Sequence, residues 1–154
     1  NGPTEFGPIY PTPVQWTTEP TRFAKPGDIL FCVRGATTGR MNLADRRYCI
    51  GRGIAAVRGK DGYVDTDFLQ FLLAAVIESL LQETAGSTFP NLPGEKLEQF
   101  SVQFPPLPDQ QKIKVVLNEK LAETERLRKA LEEELAAISA LPAALLRRAF
   151  RGEL

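Results

Sequence analysis

An apolar stripe in the C-terminal part of the sequence most constrains what this chain can fold into. Only Thr124 breaks the series Ile113, Leu117, Leu121, Thr124, Leu127, Leu131, Leu135, Ile138, Leu141 and Leu145. Its step of about 3.6 residues predicts one face of a long α-helix. At about 1.5 Å per residue, such a helix extends well beyond a small globular body. The stripe therefore requires a partner surface.

The helix is predicted to begin where the composition changes, near Pro108. From there the sequence loses most aromatic residues and glycines and gains Lys, Glu, Ala and Leu. Pro108 suits the first helical position because the missing N–H has no partner there, and Asp109 complements the positive helix end. Pro142 is expected to kink or interrupt the helix, restarting a short terminal helix through Phe150. We therefore divide the chain into residues 1–107 and 108–154.

Residues 1–107 have the pattern of a small mixed domain, so the predicted fold class is α+β. Strands are expected at Asp28–Val33 and Ile54–Val57, with a polar, basic loop between them, and at Phe100–Phe104. A helix is expected from about Asp67 to Glu83. Its cap is Asp65 or Thr66, and its apolar stripe is Phe68, Leu72, Ala75, Val76 and Leu80. Residues 1–27 are expected to form irregular structure or short edge strands.

Composition excludes most common catalytic chemistry. The chain has no His, so a Ser–His or Cys–His nucleophile pair cannot be built, and Cys32 and Cys49 alone cannot complete a structural zinc site. Both cysteines are expected to be reduced core thiols rather than a disulfide. No apolar run approaches the roughly 18 residues that span a bilayer, and the predicted location is the cytoplasm. We predict no catalytic residue, no metal and no cofactor.

The net charge of zero conceals two segments of opposite sign. The first, the basic segment from Arg34 to Lys60, has Asp45 as its single acid. Its basic residues are Arg34, Arg40, Arg46, Arg47, Arg52, Arg58 and Lys60. From Asp61 to Asp109 acids predominate, with Lys96 as the single basic residue. The first segment predicts a local basic surface suited to phosphate, if these side chains share a face.

Three segments, in this order and at these separations, resemble one protein family. They are "KPGDILFCVRGATTG" (25–39), "GSTFPNL" (86–92) and "FPPLPDQQKI" (104–113), followed by the long helix and the tail "LLRRAFRGEL". From about residue 16 to its end, the chain is similar to the specificity subunit of type I restriction-modification enzymes. It resembles the second half of a target recognition domain joined to the helical conserved region.

The resemblance implies a non-catalytic protein that reads double-stranded DNA. Family members have two recognition domains separated by two antiparallel helices, and each domain reads one half of a split target. Methyltransferase subunits dock on this subunit, and a restriction subunit joins for cleavage. The segment before "GDIL" is too short for the usual first half of a recognition domain, and Asp109 stands where members often carry Glu.

Candidate DNA-binding residues come mainly from the basic segment, because Arg forks fit guanine edges and phosphates, and Thr37 and Thr38 could donate to phosphate. They are Arg34, Thr37, Thr38, Arg40, Arg46, Arg47, Arg52, Ser87 and Thr88. For each arginine the alternative is an ordinary solvated loop charge, and for Ser87 and Thr88 it is capping or turn formation. Tyr48 is interpreted as a half-buried strand residue.

With one spacer helix present, a second copy of the chain is the expected partner for the stripe. The predicted interface of this homodimer is Leu117, Leu121, Leu127, Leu131, Leu135 and Ile138. An antiparallel coiled coil is favoured because Lys112, Lys114 and Lys120 would then face Glu132, Glu133 and Glu134. It would hold two recognition domains at opposite ends, as a symmetric split target requires.

Two other functions remain open from the sequence. One is the DNA-recognition part of a fused adenine methyltransferase, although its Asn/Asp-Pro-Pro-aromatic motif is missing, since Phe104 and Leu107 flank the only Pro-Pro pair. The other is a coiled-coil adaptor without DNA binding, against which the basic segment argues.

Overall fold

The computed structural model describes residues 6–7, 9–82 and 91–153. The chain divides into two compact units, Asn1–Lys114 and Val115–Leu154. The elements are β1 (Phe23–Ala24), β2 (Ile29–Cys32), β3 (Met41–Leu43), β4 (Tyr48–Cys49), β5 (Ile54–Val57), α1 (Thr66–Gln82), α2 (Gly94–Gln99) and α3 (Leu107–Phe150). The mixed fold with a long C-terminal helix confirms the coarse fold class.

Within the described ranges, the strands form two small antiparallel sheets. One has the order β3-β2-β5, with Phe31 of β2 paired to both Met41 and Ala55. The other consists of β1 and β4, in which Phe23 pairs with Cys49. The predicted strands at β2 and β5 and the predicted short edge strand before residue 27 are confirmed.

The segment between β2 and β5 is not the simple loop that the sequence predicted. It contains β3 and β4. Strands of two or three residues are too short to show a period-2 pattern, and they form here because β2 and β1 offer backbone partners. Tyr48 is a half-buried strand residue, as predicted.

Strand β2 is buried on both faces, which explains its continuous apolar sequence. Leu30 and Cys32 belong to one core cluster with Ala24 of β1. Ile29 and Phe31 belong to the other, which includes Leu73 and Leu80 of α1. Since side chains alternate along a strand, β2 joins the two clusters. Both cysteines are free thiols, as predicted, but only Cys32 is buried, so the predicted core position is wrong for the exposed Cys49.

Helix α1 begins and ends within one residue of its predicted bounds. Its cap is Asp65, whose Oδ1 accepts the Phe68 N–H at 3.0 Å. The buried stripe differs from the predicted one. Besides Phe68 and Leu80, the helix buries Leu73 rather than Leu72, and Ala75 is exposed. The predicted stripe was wrong there because residues 71–77 form an unbroken apolar run, so periodicity alone did not determine the buried face of the helix.

The strand predicted at Phe100–Phe104 is wrong, and helix α2 precedes this segment instead. Phe100 packs against the core cluster of α1, but Phe104 is 44% exposed. No strand in the described part of the chain pairs with this segment, and Pro105 and Pro106 have no N–H to donate to one. The alternation of apolar and polar residues therefore has no sheet to lie in.

Helix α3 is continuous through Pro142 to Phe150, so the predicted interruption and separate terminal helix are wrong. The capping signals near Pro108 placed its start to within one residue, since it begins at Leu107. Side chains of the predicted stripe are exposed from Leu121 onward, with Leu131 and Leu135 each 64% exposed. No helix in the described part of the chain is long and apolar enough to cross a membrane.

Candidate nucleic-acid interface

Three of the candidate arginines lie where strand β2 ends. Arg34 follows Val33, and the Cys32 N–H donates to the Arg40 carbonyl at 2.9 Å, so the two residues flank one loop. Arg52 precedes Gly53, whose carbonyl accepts the Val33 N–H at 2.9 Å. All three arginines are exposed. The fold therefore brings together backbone positions that are 18 residues apart in sequence.

The other two candidate arginines lie towards the opposite end of β2. Arg46 and Arg47 follow Ala44, whose N–H donates to the carbonyl of Asp28 at 2.8 Å. Asp28 directly precedes β2, and four strand residues at about 3.3 Å each separate the two ends. The predicted basic segment thus forms two arginine groups rather than one.

The loop between β2 and β3 uses the hydroxyls of both candidate threonines. Thr38 donates its hydroxyl proton to the Gly35 carbonyl at 2.7 Å, and Thr37 Oγ1 lies 3.2 Å from Cys32 Sγ. Gly39 has a φ of 92°, and a Cβ there would lie 3.0 Å from Ile77 Cγ1. These contacts fix the turn, so a phosphate contact from Thr38 has to use a group other than that proton.

Arg46 is held by the Asp45 carboxylate, which also accepts a hydrogen bond from a phenol. Its Nε and Nη2 donate to Asp45 Oδ2 at 3.0 and 2.7 Å, and the Tyr48 hydroxyl donates to Oδ1 of the same carboxylate. The Arg46 guanidinium, followed by the Tyr48 hydroxyl, lowers the pKa of Asp45. Asp45 in turn raises the pKa of Arg46. The pair stays ionised at neutral pH, and Asp45 compensates much of the Arg46 charge.

Arg47 has a different environment. Its Cζ lies over the Phe23 ring, 3.6 Å from the centroid. A groove of about 530 Å³ runs beside this pair, and its lining includes Trp16, Phe23, Arg46, Arg47, Tyr48 and Cys49. Trp16 is 89% exposed. The sequence pointed to the arginines but not to Trp16 and Phe23, whose only signal was their place in an irregular segment rich in Pro and Thr.

Other basic residues of the segment serve the fold. Arg58 Nη2 donates to Asp28 Oδ2 at 2.6 Å, and that carboxylate is 3% exposed. Lys60 Nζ lies 5.0 Å from the centroid of the Tyr63 ring. Arg40 Cζ lies 5.8 Å from the Phe6 ring centroid, so this DNA-binding candidate also contacts an aromatic ring within the chain.

A buried polar joint fixes the first turns of α3 to the sheet-bearing part of the same unit. Gln110 is fully buried. Its Oε1 accepts the Asp65 N–H at 2.9 Å, and its Nε2 donates to the carbonyls of Tyr63 and Pro105, both at 2.8 Å. One turn later, Lys114 Nζ donates to Asp65 Oδ2 at 2.8 Å. This joint could not be predicted from the sequence, because a Gln in "PDQQK" is typical of a solvated helix residue.

Family comparison agrees with the motifs and the fold. The model named "Type I restriction modification DNA specificity domain" matches residues 17–137. The chain belongs to this specificity family. The curated "Putative type I restriction enzyme MjaX specificity subunit" of Methanocaldococcus jannaschii is 35% identical over 112 residues. That alignment covers 73% of this chain and 26% of the relative.

Solved structures of the specificity family extend the likeness to nearly all residues. The HsdS subunit from Thermoanaerobacter tengcongensis is 33% identical with a TM-score of 0.74. A chain from work on complex assembly and conformational transition of the type I R-M system is 35% identical with a TM-score of 0.84. Each comparison covers 99% of this chain, but 37% and 38% of the solved chains. The chain thus spans about a quarter to two fifths of its relatives' length.

Ser87 and Thr88 lie outside the described residues. The nearest described position is Asn91, which forms an isolated antiparallel bridge with Arg34. The role of each candidate residue in DNA binding stays a prediction.

Proposed function

We propose that this chain is a DNA-reading module of a type I restriction-modification specificity subunit, without catalysis of its own. The observation that carries the proposal is the family match, which includes both the sheet-bearing unit and much of α3. Relatives named as specificity subunits match along the same chain. The fused-methyltransferase and adaptor alternatives have no comparable support.

The arginine groups supply the chemistry that duplex binding requires. Protein–DNA affinity comes largely from neutralising phosphates, and sequence is read by side chains that reach base edges. Arg34, Arg40 and Arg52 are exposed at one end of β2, and Arg46 and Arg47 line the groove at the other. The groove adds aromatic surface beside its cations. We assign DNA contact to both ends.

The exposed apolar stripe of α3 supports the proposal that a second helix packs against it. Contiguous apolar surface of this extent is rare on soluble monomers. In a longer specificity subunit a second spacer helix would cover it, and for this chain we propose a second copy in antiparallel orientation. Because each recognition module precedes the start of its helix, such a homodimer carries two modules at opposite ends and suits a symmetric split target. Methyltransferase and restriction subunits are the proposed further partners.

A duplex-binding experiment tests the DNA-reading role. Duplexes selected from a randomised pool with the purified chain should share a motif. Replacing Arg46 and Arg47 together with Ala should weaken binding and reduce the slope of log affinity against log salt by about 1 to 2. The Arg147→Ala, Arg151→Ala variant changes the net charge equally on exposed residues of the other unit and serves as control. An unchanged salt slope in the Arg46→Ala, Arg47→Ala variant would show that these two arginines are ordinary surface charges.

The absence of catalysis is tested separately. The purified chain, mixed with methyl donor and the selected duplex, should neither methylate nor cleave it. Co-expression with a methyltransferase subunit should produce methylation of that duplex. Reproducible methylation by the chain alone contradicts the proposal.

A further inference from the structure

We propose that Arg47, rather than its neighbour Arg46, reads a guanine through the major-groove edge of the base. The assignment rests on the proposed DNA-reading function and concerns which of two adjacent arginines carries sequence information. It follows from how each guanidinium is held, from the lining of the groove and from the donor pattern of arginine.

The two guanidiniums differ in what remains free. Arg46 has its Nε and Nη2 committed to Asp45, so one edge of its plane and much of its charge are already used. Arg47 contacts the Phe23 ring, and among the described residues it has no hydrogen bond or ion pair. All five N–H donors of Arg47 are therefore available to a ligand.

Stacking on Phe23 fixes the plane of Arg47. A guanidinium that pointed an N–H at the ring would hold its Cζ farther away than 3.6 Å, so this distance indicates two planes in contact. The ring is 40% exposed, and the donors of the stacked guanidinium point outward within its plane. A planar fork held in this way is prepared for a ligand with two adjacent acceptors.

Guanine is the base that presents two such acceptors. Its N7 and O6 lie side by side in the major groove, whereas adenine presents one acceptor beside a donor, thymine one acceptor beside a methyl group, and cytosine a donor. Arginine has donors only. A phosphate also accepts a bidentate fork, but the groove walls beside Arg47 include Trp16, Phe23, Pro13 and Pro20. These apolar surfaces suit base edges and deoxyribose better than a charged phosphate.

Trp16 makes occupation of the groove measurable. It is the only tryptophan in the chain, it is 89% exposed and it lines this groove. Intrinsic tryptophan fluorescence therefore reports from this one site. Addition of the selected duplex should change its intensity or emission maximum, and a duplex outside the selected motif should change it less at equal concentration.

The decisive experiment pairs protein variants with modified DNA. In the duplex selected by the wild-type chain, 7-deazaguanine replaces each guanine in turn and removes its N7 acceptor. At one guanine this should weaken wild-type binding about 5- to 150-fold.

In Arg47→Ala the penalty at that guanine should vanish, and repeated selection should lose the preference at that one position. Arg47→Lys keeps the charge and can still donate to guanine, but it lacks the planar fork that stacks on Phe23, so it should keep most of the salt slope and lose only part of the discrimination. Arg46→Ala removes a groove cation, so it should weaken binding to all sequences alike and keep the same preferred guanine. The Arg147→Ala, Arg151→Ala control should leave both affinity and motif unchanged.

Each result decides between named alternatives. A penalty that persists at every guanine in Arg47→Ala overturns the assignment. If Arg47→Ala binds all sequences more weakly by the same factor and has a smaller salt slope, Arg47 contacts a phosphate instead. If the wild-type chain selects no motif and Trp16 emission does not respond to duplex, the DNA-reading function itself fails. Unfolding midpoints of the Arg47 variants equal to that of the wild type exclude misfolding as the cause.

Discussion

The Gln110 side chain is hydrogen-bonded to three backbone groups at once. A neutral amide has one carbonyl acceptor and two N–H donors, and in Gln110 all three groups have protein partners. The residue is fully buried, so water cannot replace any of these bonds. Its removal leaves the Asp65 N–H and the carbonyls of Tyr63 and Pro105 without this partner.

We therefore predict that Gln110→Ala lowers the free energy of unfolding by roughly 2–4 kcal/mol, because buried polar groups lose their hydrogen bonds. Gln110→Glu should be at least as destabilising, since a carboxylate cannot donate to the two carbonyls. Gln111→Ala, on the exposed neighbour, should stay within about 0.5 kcal/mol of wild type. Urea denaturation followed by circular dichroism measures all three. Equal stability of Gln110→Ala and Gln111→Ala would contradict a stabilising role for the Gln110 hydrogen bonds.

Asp65 has two separable tasks, which are capping α1 and pairing with Lys114. Asn also caps well, whereas Ala does not. We predict that Asp65→Ala is less stable than Asp65→Asn by about 0.5–2 kcal/mol, which measures the cap. The difference between Asp65→Asn and wild type then reports the loss of the charge.

The charge effect should depend on pH. Burial acts to raise the pKa of Asp65, but the hydrogen bond from Lys114 and the Phe68 amide outweigh it, and the net pKa is lowered from 3.8. The stabilisation is thus complete above pH 3.8 and is lost as the pH falls through the lowered pKa. Asp65 raises the pKa of Lys114 above 10.5, so this contribution is lost as the pH rises through that higher value. An advantage of wild type over Asp65→Asn that does not change across the acid range would contradict this linkage.

Elements with a local pattern were predictable, and elements that depend on distant partners were not. The caps and apolar residues of α1 and α3 lie within each helix, and β2 shows itself as a continuous apolar run. Strands β3 and β4 form because other strands pair with them. The candidate site follows the same rule. The Arg segment was visible in sequence, but the groove depends on Phe23, which lies 24 residues from Arg47.

Pro142 lies inside α3, about two turns before the helix ends at Phe150. Proline in a helix interior removes one i→i−4 hydrogen bond, here to the Ile138 carbonyl, and costs about 3 kcal/mol. Pro142→Ala should therefore increase helix content and stabilise α3 by up to roughly that amount. Ser139→Ala, one turn earlier on an exposed position, restores no backbone bond and is the control. If both variants melt alike by far-UV circular dichroism, α3 does not continue through residue 142 in solution.

The partner of α3 determines how many recognition modules one assembly carries. An antiparallel register centred on Thr124 places Ile113 opposite Leu135, Leu117 opposite Leu131, and Leu121 opposite Leu127. Thr124 would meet its own copy, and its hydroxyl already donates to the Lys120 carbonyl at 2.8 Å. The one polar member of the stripe is thus satisfied within its own helix and can lie in an apolar interface.

Ion pairs between the two helices favour this register less than the sequence indicated. Lys114 is paired with Asp65 at 2.8 Å and with Asp67 at 3.3 Å inside its own unit. Lys112 and Lys120 remain exposed, and each has a nearby acid on α3. Such exposed pairs contribute little. The apolar stripe therefore has to supply most of the association energy.

We predict that the wild-type chain at micromolar concentration has twice the chain mass by light scattering, because pairing covers the stripe. Leu127→Glu, Leu131→Glu should be monomeric, since it places four carboxylates near the centre of the paired interface. The matched control is Ala122→Glu, Ala136→Glu. It adds the same charge at exposed positions on the opposite face of α3 and should remain a dimer. Dissociation of both variants would make general charge repulsion the cause. A wild-type monomer with its full helix content would show that the stripe is covered within one chain, and the homodimer would be abandoned.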